Sequence, residues 1–179
     1  MIEHVTRALK DLLENHAGFP PGWVEMSSLE GKSTLGEHKL HLCLYAVEPH
    51  SHVRNSPPVS TAAGYEPPPL GLVLQYVMTY VGDRLEAQKR LARVAQVFHS
   101  TPRLGPPELG AELRPAVRHL AVRLNSPGYE ERTGLWNAYG REYRLALYYS
   151  VEVLSLPPLQ PEITGRINGH RVEFGTVRA

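Results

Sequence analysis

The chain has 179 residues, a formal net charge of +1, and a composition that is 42% hydrophobic and 21% charged. These values are typical of a globular protein and exclude the disordered and fibrous classes. The length fits one domain, which can bury a continuous core without a metal or a disulfide.

The first predicted element is an amphipathic helix, which Gly18 and the pair Pro20–Pro21 bring to an end. Its apolar residues recur at helical spacing: Ile2, Val5, Leu9, Leu12 and Leu13. The pattern from Trp23 to Thr34 is mixed and allows a short strand and a turn.

Two long apolar strands are predicted in the middle of the chain. From Lys39 to Val47, leucines alternate with His41, Cys43 and Tyr45, so one face is fully apolar and the other partly so. This pattern predicts an inner strand covered on both sides. The segment Leu70 to Tyr80 predicts a second central strand, long enough to project beyond the sheet.

The loop between these strands, from Glu48 to Pro69, is long for a compact domain. It contains six prolines, which make it stiff and extended rather than helical. Loops of this length usually carry function or are disordered.

A capped helix follows the second strand. The Asp83 carboxylate can accept the first free backbone amides, and Glu86 can reach back to complete the cap. The pair Thr101–Pro102 ends the helix. One apolar stripe should face the core, and it comprises Ala87, Leu91, Val94, Ala95 and Phe98.

The remaining elements of the main domain alternate between strand and helix. A Pro- and Gly-rich loop at 102–116 precedes a third strand at Val117–Leu124. A short helix at Glu130–Tyr139 contains Trp136, whose large ring is expected to anchor the core rather than a ligand. The strand Tyr143–Val153 alternates so that one of its faces is wet.

Residues 157–179 differ in composition from the predicted 1–156 domain before them. Within this extension, Ile163–Ile167 and His170–Phe174 flank Asn168–Gly169, which is preferred in two-residue hairpin turns. We therefore predict a C-terminal hairpin, which either folds back on its own sheet edge or pairs with another chain.

The cysteine content and the lack of long apolar segments predict the compartment in which the protein is made. Cys43 is the only cysteine, so an intrachain disulfide is impossible. The N-terminus lacks a basic region followed by an apolar core, and no apolar run approaches the roughly 18 residues of a membrane span. The sequence predicts a protein made in the reducing cytoplasm, with no membrane partner, which stays there unless a larger particle carries it out.

No motif in the chain carries recognisable chemistry. Gly31–Thr34 is similar to the end of a phosphate loop, but Met26 stands where that loop needs a glycine. Two histidine pairs lack Cys or acidic companions at ligand spacing. They are His38 with His41, and His50 with His52. We therefore expect no catalytic residue, no cofactor and no metal site.

Charge is unevenly distributed along the chain. Residues 1–50 hold four Lys/Arg and seven Asp/Glu, whereas residues 84–123 hold eight Lys/Arg and three Asp/Glu. The basic stretch fits a solvated helix face, or a docking surface for an acidic protein partner. It does not fit a nucleic-acid site, because its arginines are not interleaved with aromatic residues on which bases could stack.

The order of several segments carries a family resemblance. They are Leu42–Tyr45 leading through Glu48 to Arg54–Asn55, Pro69–Thr79, Leu85–Phe98 ending before a proline, Leu135–Trp136, and Tyr148–Val151. In this order and spacing, the chain resembles the N-terminal domain of the cap proteins, or tail terminators, of phage-tail-like contractile injection systems. The resemblance extends to about Leu156.

The resemblance implies a structural protein with no enzymatic activity, cofactor or small-molecule substrate. It implies a homo-oligomeric ring, a hexamer, that closes the inner tube and anchors the last sheath layer at the end of a particle. The implied partners are the sheath protein and the inner tube protein. Candidate interface residues are Arg54, Asn55, Ile163, Arg166, Ile167, Arg171, Val172 and Phe174.

We therefore expect an α/β or α+β domain with a central mixed sheet of about four to five strands, flanked by two main helices. Two other functions stay open. One is a small-molecule binding module or enzyme with its site under the loop 48–69. The other is a phage neck or tail-completion protein, which would share the fold.

Overall fold

The computed structural model describes residues 2–16, 18–29, 38–52, 57, 59–61, 64–66, 70–105, 108–115, 117 and 120–156. In chain order, their elements are α1 Ile2–His16, β1 Val24–Met26, β2 Lys39–Pro49, β3 Val59–Thr61, β4 Gly64–Glu66, β5 Leu70–Val81, α2 Arg84–Ser100, β6 Arg103–Leu104, β7 Leu120–Asn125, α3 Tyr129–Ala138 and β8 Ala146–Leu156.

Six of these strands form one mixed sheet in the order β1-β2-β5-β8-β7-β6. Strand β1 is parallel to β2, and every other neighbouring pair is antiparallel. The α+β class with a mixed sheet is confirmed, although six strands exceed the four to five expected. The three residues of β1 and the two of β6 are too few to show a hydrophobic period.

Strands β3 and β4 form a separate two-stranded sheet inside the long proline-rich loop. Val59 pairs with Glu66 and Thr61 pairs with Gly64. This stretch was expected to be an extended loop, because two strands of three residues each are too short to show an alternating pattern.

Helices α1 and α2 pack on one face of the sheet and enclose the main core with it. Leu9 and Leu13 of α1 are completely buried there, as is Val94 of α2. Alternate residues of β5, from Leu74 to Tyr80, face the same core, as the period-two pattern predicts. Burial of each such aliphatic side chain stabilises the fold by roughly 1.5–3 kcal/mol.

Helix α3 covers part of the opposite face and forms a second, smaller cluster. Its Trp136 packs there with Cys43, Val77 and Tyr148. The first half of β2 is therefore covered on both sides, as predicted, whereas its far end at Val47–Pro49 is exposed.

The N-terminus of α2 is capped by Asp83, whose Oδ1 accepts from the backbone N–H groups of Leu85 at 2.9 Å and Glu86 at 3.2 Å. The Glu86 carboxylate accepts instead from Arg90 Nε at 2.6 Å. The acceptor half of the predicted cap is thus confirmed, and Glu86 forms an ion pair one turn along the helix.

Arg90 also ties α2 to the segment that follows α1. Its guanidinium carbon lies 3.6 Å from the ring centroid of Phe19, and 5.6 Å from that of Trp23. Glu14 fixes the same segment, because its carboxylate accepts from the backbone N–H groups of Gly22 and Val24. These contacts hold β1 in position at the edge of the sheet.

Two predicted strands begin later than their apolar patterns do. Strand β7 begins at Leu120, because Val117 lies in a turn where its N–H donates to Leu113 O at 2.8 Å. Strand β8 begins at Ala146, which is the partner of Thr79 near the end of β5. Tyr143 precedes the strand and is exposed.

Candidate assembly surface

The interface residues predicted from the sequence lie outside the described part of the chain. They are Arg54, Asn55, Ile163, Arg166, Ile167, Arg171, Val172 and Phe174. The predicted C-terminal hairpin lies outside it as well. These residues therefore remain predictions.

Trp136, predicted as a core anchor, has 1% of its side chain exposed. Its Nε1–H donates a hydrogen bond of 3.0 Å to the hydroxyl of Tyr148, which lies across the cluster on β8. The pKa of Tyr148 is raised, because burial raises it by more than this hydrogen bond lowers it. The buried ring packs α3 against the sheet.

One edge of the main sheet is only partly closed. Strand β6 pairs with Leu120 and Ala121 of β7, and the N–H of Val122 donates to Pro102 O at 2.8 Å. Among the described residues, no strand pairs with 123–125 on the side away from β8. An unpaired edge exposes backbone donors and acceptors that another strand can complete.

An apolar groove of about 580 Å³ lies beside this open edge, on the helical face of the sheet. One wall comes from the last turns of α2, and the floor comes from β7 and β8. Its lining residues are Ala95, Gln96, Phe98, His99, Pro102, Val122, Leu124 and Tyr149. Leu124 is 62% exposed, although it belongs to a strand.

The groove explains one difference from the predicted core of α2. Ala95 was expected on the buried stripe, but it is half-buried and lines the groove, while Val97 is buried in its place. At the floor, the ring of Phe98 meets that of Tyr149 edge-on with 4.9 Å between centroids. Burial raises the pKa of Tyr149 to about 12.

On the opposite face of the sheet, an ion pair lies next to the same edge. Arg123 Nη2 is 3.2 Å from Glu152 Oε2, and His50 Nε2 is 3.8 Å from the same oxygen. Arg123 is 66% exposed, so the pair contributes little to stability, about 0–1 kcal/mol. This exposure leaves the guanidinium of Arg123 accessible to a second carboxylate.

A buried Ser–His–Cys cluster was not foreseen from the sequence. Ser27 Oγ lies 3.0 Å from His41 Nδ1 and 3.4 Å from Cys43 Sγ. His41 and Cys43 are almost completely buried, and burial raises the pKa of the Cys43 thiol. A thiol that stays protonated and buried is a poor nucleophile, so this cluster fits a structural role. Sequence spacing could not reveal it, because Ser27 comes from the segment after β1.

Among the residues with a described structure, neither histidine pair gathers enough further ligands for a metal site. The rings of His50 and His52 are 5.8 Å apart between centroids. Within the ranges that the structure describes, no group of three or more His, Cys, Asp or Glu residues is arranged to hold a metal ion. In the same part of the chain, no helix has the length and apolar character needed to cross a membrane.

Solved structures of known proteins share this fold. One is the PVC sheath/tube terminator, in its extended state, of an extracellular contractile injection system: TM-score 0.67, 16% identity, 100% of this chain and 64% of that chain covered. Another is the tube-terminating cap of the anti-feeding prophage: TM-score 0.57, 15% identity, 97% and 61% covered. The chain thus spans less than two thirds of the length of either protein.

A family of protein sequences also matches most of the chain. The chain belongs to the Pvc16 N-terminal domain family, which matches residues 4–168. The resemblance found in the order of segments is thereby confirmed. No curated protein sequence matches this chain significantly.

Proposed function

We propose that this protein is a cap, or tail terminator, of a contractile injection particle. In this role it closes the inner tube at one end and anchors the last layer of sheath. The observation that carries the proposal is family membership over residues 4–168. The fold shared with two proteins named as tube terminators supports it.

The role is mechanical and needs no catalytic site. A helical polymer exposes the same unsatisfied interface at its end however long it grows, and a closed ring of copies can cover that interface. We propose a homo-hexamer as the ring, with the tube and sheath proteins as its partners. The particle would be assembled in the cytoplasm of the producing cell.

The described surface supports an assembly role in one respect. The open edge at residues 123–125 lies beside an apolar groove, and both are on the outside of the domain. An exposed edge that a monomer leaves uncovered is a liability, whereas in an assembly a neighbour covers it.

Counting copies per particle tests this proposal. The chain is produced with the tube and sheath proteins of its own particle, and intact particles are separated by length before quantitative mass spectrometry. A cap predicts a constant number of copies per particle, whereas sheath copies rise in proportion to length. A copy number that rises with length, or particles that lack the chain, would contradict the proposal.

The extension offers a second test. Deletion of residues 162–179 should leave the 1–156 domain folded, with an unchanged circular dichroism spectrum, and should lower the number of copies per particle. Arg54→Ala and Asn55→Ala test the other candidate contacts in the same assay. Normal incorporation of the truncated chain would show that the extension is not needed for assembly.

A further inference from the structure

The backbone of Leu124 is the exposed hydrogen-bonding point of the β7 edge. The N–H of Val122 points away from β8, since it donates to Pro102 O. Backbone groups alternate in direction along a strand, so the N–H and C=O of Leu124 point the same way. No described strand meets them. An added strand could therefore continue the sheet from this position.

The groove sets the side-chain requirements of that strand. Residues paired across neighbouring strands point to the same face, so a residue opposite Leu124 would project over the helical face, towards Ala95 and Phe98. That residue should be apolar. The residues on either side of it would project to the other face, where Arg123 presents an exposed guanidinium, and one of them should be acidic.

We propose that residues 170–174 of a neighbouring copy of this chain pair with the β7 edge. In His170–Arg171–Val172–Glu173–Phe174, Val172 and Phe174 share one face, and Arg171 and Glu173 share the other. An antiparallel register with Val172 opposite Leu124 covers the groove and places Glu173 beside Arg123. The pairing ends there, because Pro102 O already accepts from the N–H of Val122 at the next position. The segment meets both requirements, one apolar and one electrostatic.

The end of β8 and the open edge of β7 lie at opposite ends of the β7–β8 pair. Strand β8 ends at Leu156, beyond the Leu120–Val153 pair, whereas the open edge lies near the Asn125–Tyr148 pair. An interface that joins two different surfaces of identical chains is heterologous, and it closes into a ring when its rotation allows. This inference rests on the proposed ring, and it supplies the contact between ring neighbours.

Cross-linking between copies tests the pairing. Two variants, Leu124→Cys and Val172→Cys, are produced together with the tube and sheath proteins, and the purified particles are oxidised mildly. Paired residues on adjacent strands have Cα atoms about 5.5 Å apart, a distance that a disulfide spans. A disulfide between the two variants can form only between copies. Leu85→Cys in place of Leu124→Cys is the matched control, since Leu85 is 74% exposed on α2.

The expected result is a dimer band whose peptides link position 124 to position 172, with none for the Leu85 control. Arg123→Glu should lower the yield several-fold, and Glu173→Arg in the same chain should restore it. The pairing is overturned if particles contain the chain but show no link, or if only a chain carrying both cysteines becomes linked, within itself. Particles that lack the chain altogether would overturn the proposed function as well.

Discussion

Replacing Trp136 with alanine tests how the second cluster holds α3 on the sheet. Trp136 is the largest of the fully buried side chains in the described residues. A tryptophan buries roughly 150–250 Å², which at about 25 cal/mol/Å² corresponds to about 4–6 kcal/mol as an upper estimate. Phe or Trp to Ala substitutions in cores cost about 3–5 kcal/mol. We expect a loss of about 4 kcal/mol in the free energy of unfolding.

The assay is urea denaturation followed by circular dichroism, because the substitution removes a fluorescent probe. Tyr129→Ala is the matched control: the residue lies on the same helix but is 71% exposed, so its free energy of unfolding should change by less than about 0.5 kcal/mol. A loss below about 1 kcal/mol for Trp136→Ala would refute the assignment of this ring to the core.

The hydrogen bond inside the cluster can be separated from its packing by a double-mutant cycle. Tyr148→Phe leaves the buried Nε1–H of Trp136 without its acceptor, so we expect a loss of about 1–3 kcal/mol. Trp136→Phe with Tyr148→Phe removes both partners, and its cost should be less than the sum of the single costs. Additive costs would show that the bond contributes nothing.

Three further predictions concern other parts of the domain. Asp83→Ala should cost about 1 kcal/mol by removing the cap of α2, while Asp83→Asn should retain most of it, as measured by urea denaturation. Burial raises the pKa of Tyr76 and of Tyr149 from 10.0 to about 12, so these groups ionise first in the unfolded chain and the free energy of unfolding should fall as pH rises through that interval. A free energy that stays constant over this interval would contradict the prediction. Arg90→Lys should lower the free energy of unfolding by about 1 kcal/mol, because lysine cannot both stack on Phe19 and donate through a planar fork; an unchanged melting temperature would argue against that contact.

The long elements were predictable from the sequence because their patterns repeat over many residues. Strand β5 was predicted at Leu70–Tyr80 and spans Leu70–Val81. Helix α2 was predicted from its Asp83 cap and its apolar stripe, and both are present apart from Ala95. A period of 2.0 or 3.6 is unambiguous over ten or more residues, and local energetics then agree with the tertiary fold.

The order of strands was not predictable, and the candidate surface depends on that order. Leu124 has the pattern of a buried strand residue, and only the position of β7 near the sheet edge leaves it exposed. Edge strands as short as β6 give no periodic signal, so the extent of the open edge could not be read from the residues. The interface residues proposed from the sequence, such as Arg54 and Phe174, lie outside the described ranges and remain to be tested.

Locating the chain on single particles tests the central claim most directly. A gold label attached to an N-terminal tag on the chain is imaged on intact particles by electron microscopy. The account predicts a label cluster at one end of each particle and at no other position. Labels spread along the sheath, or particles without any label while the tagged chain stays free and monomeric, would contradict it.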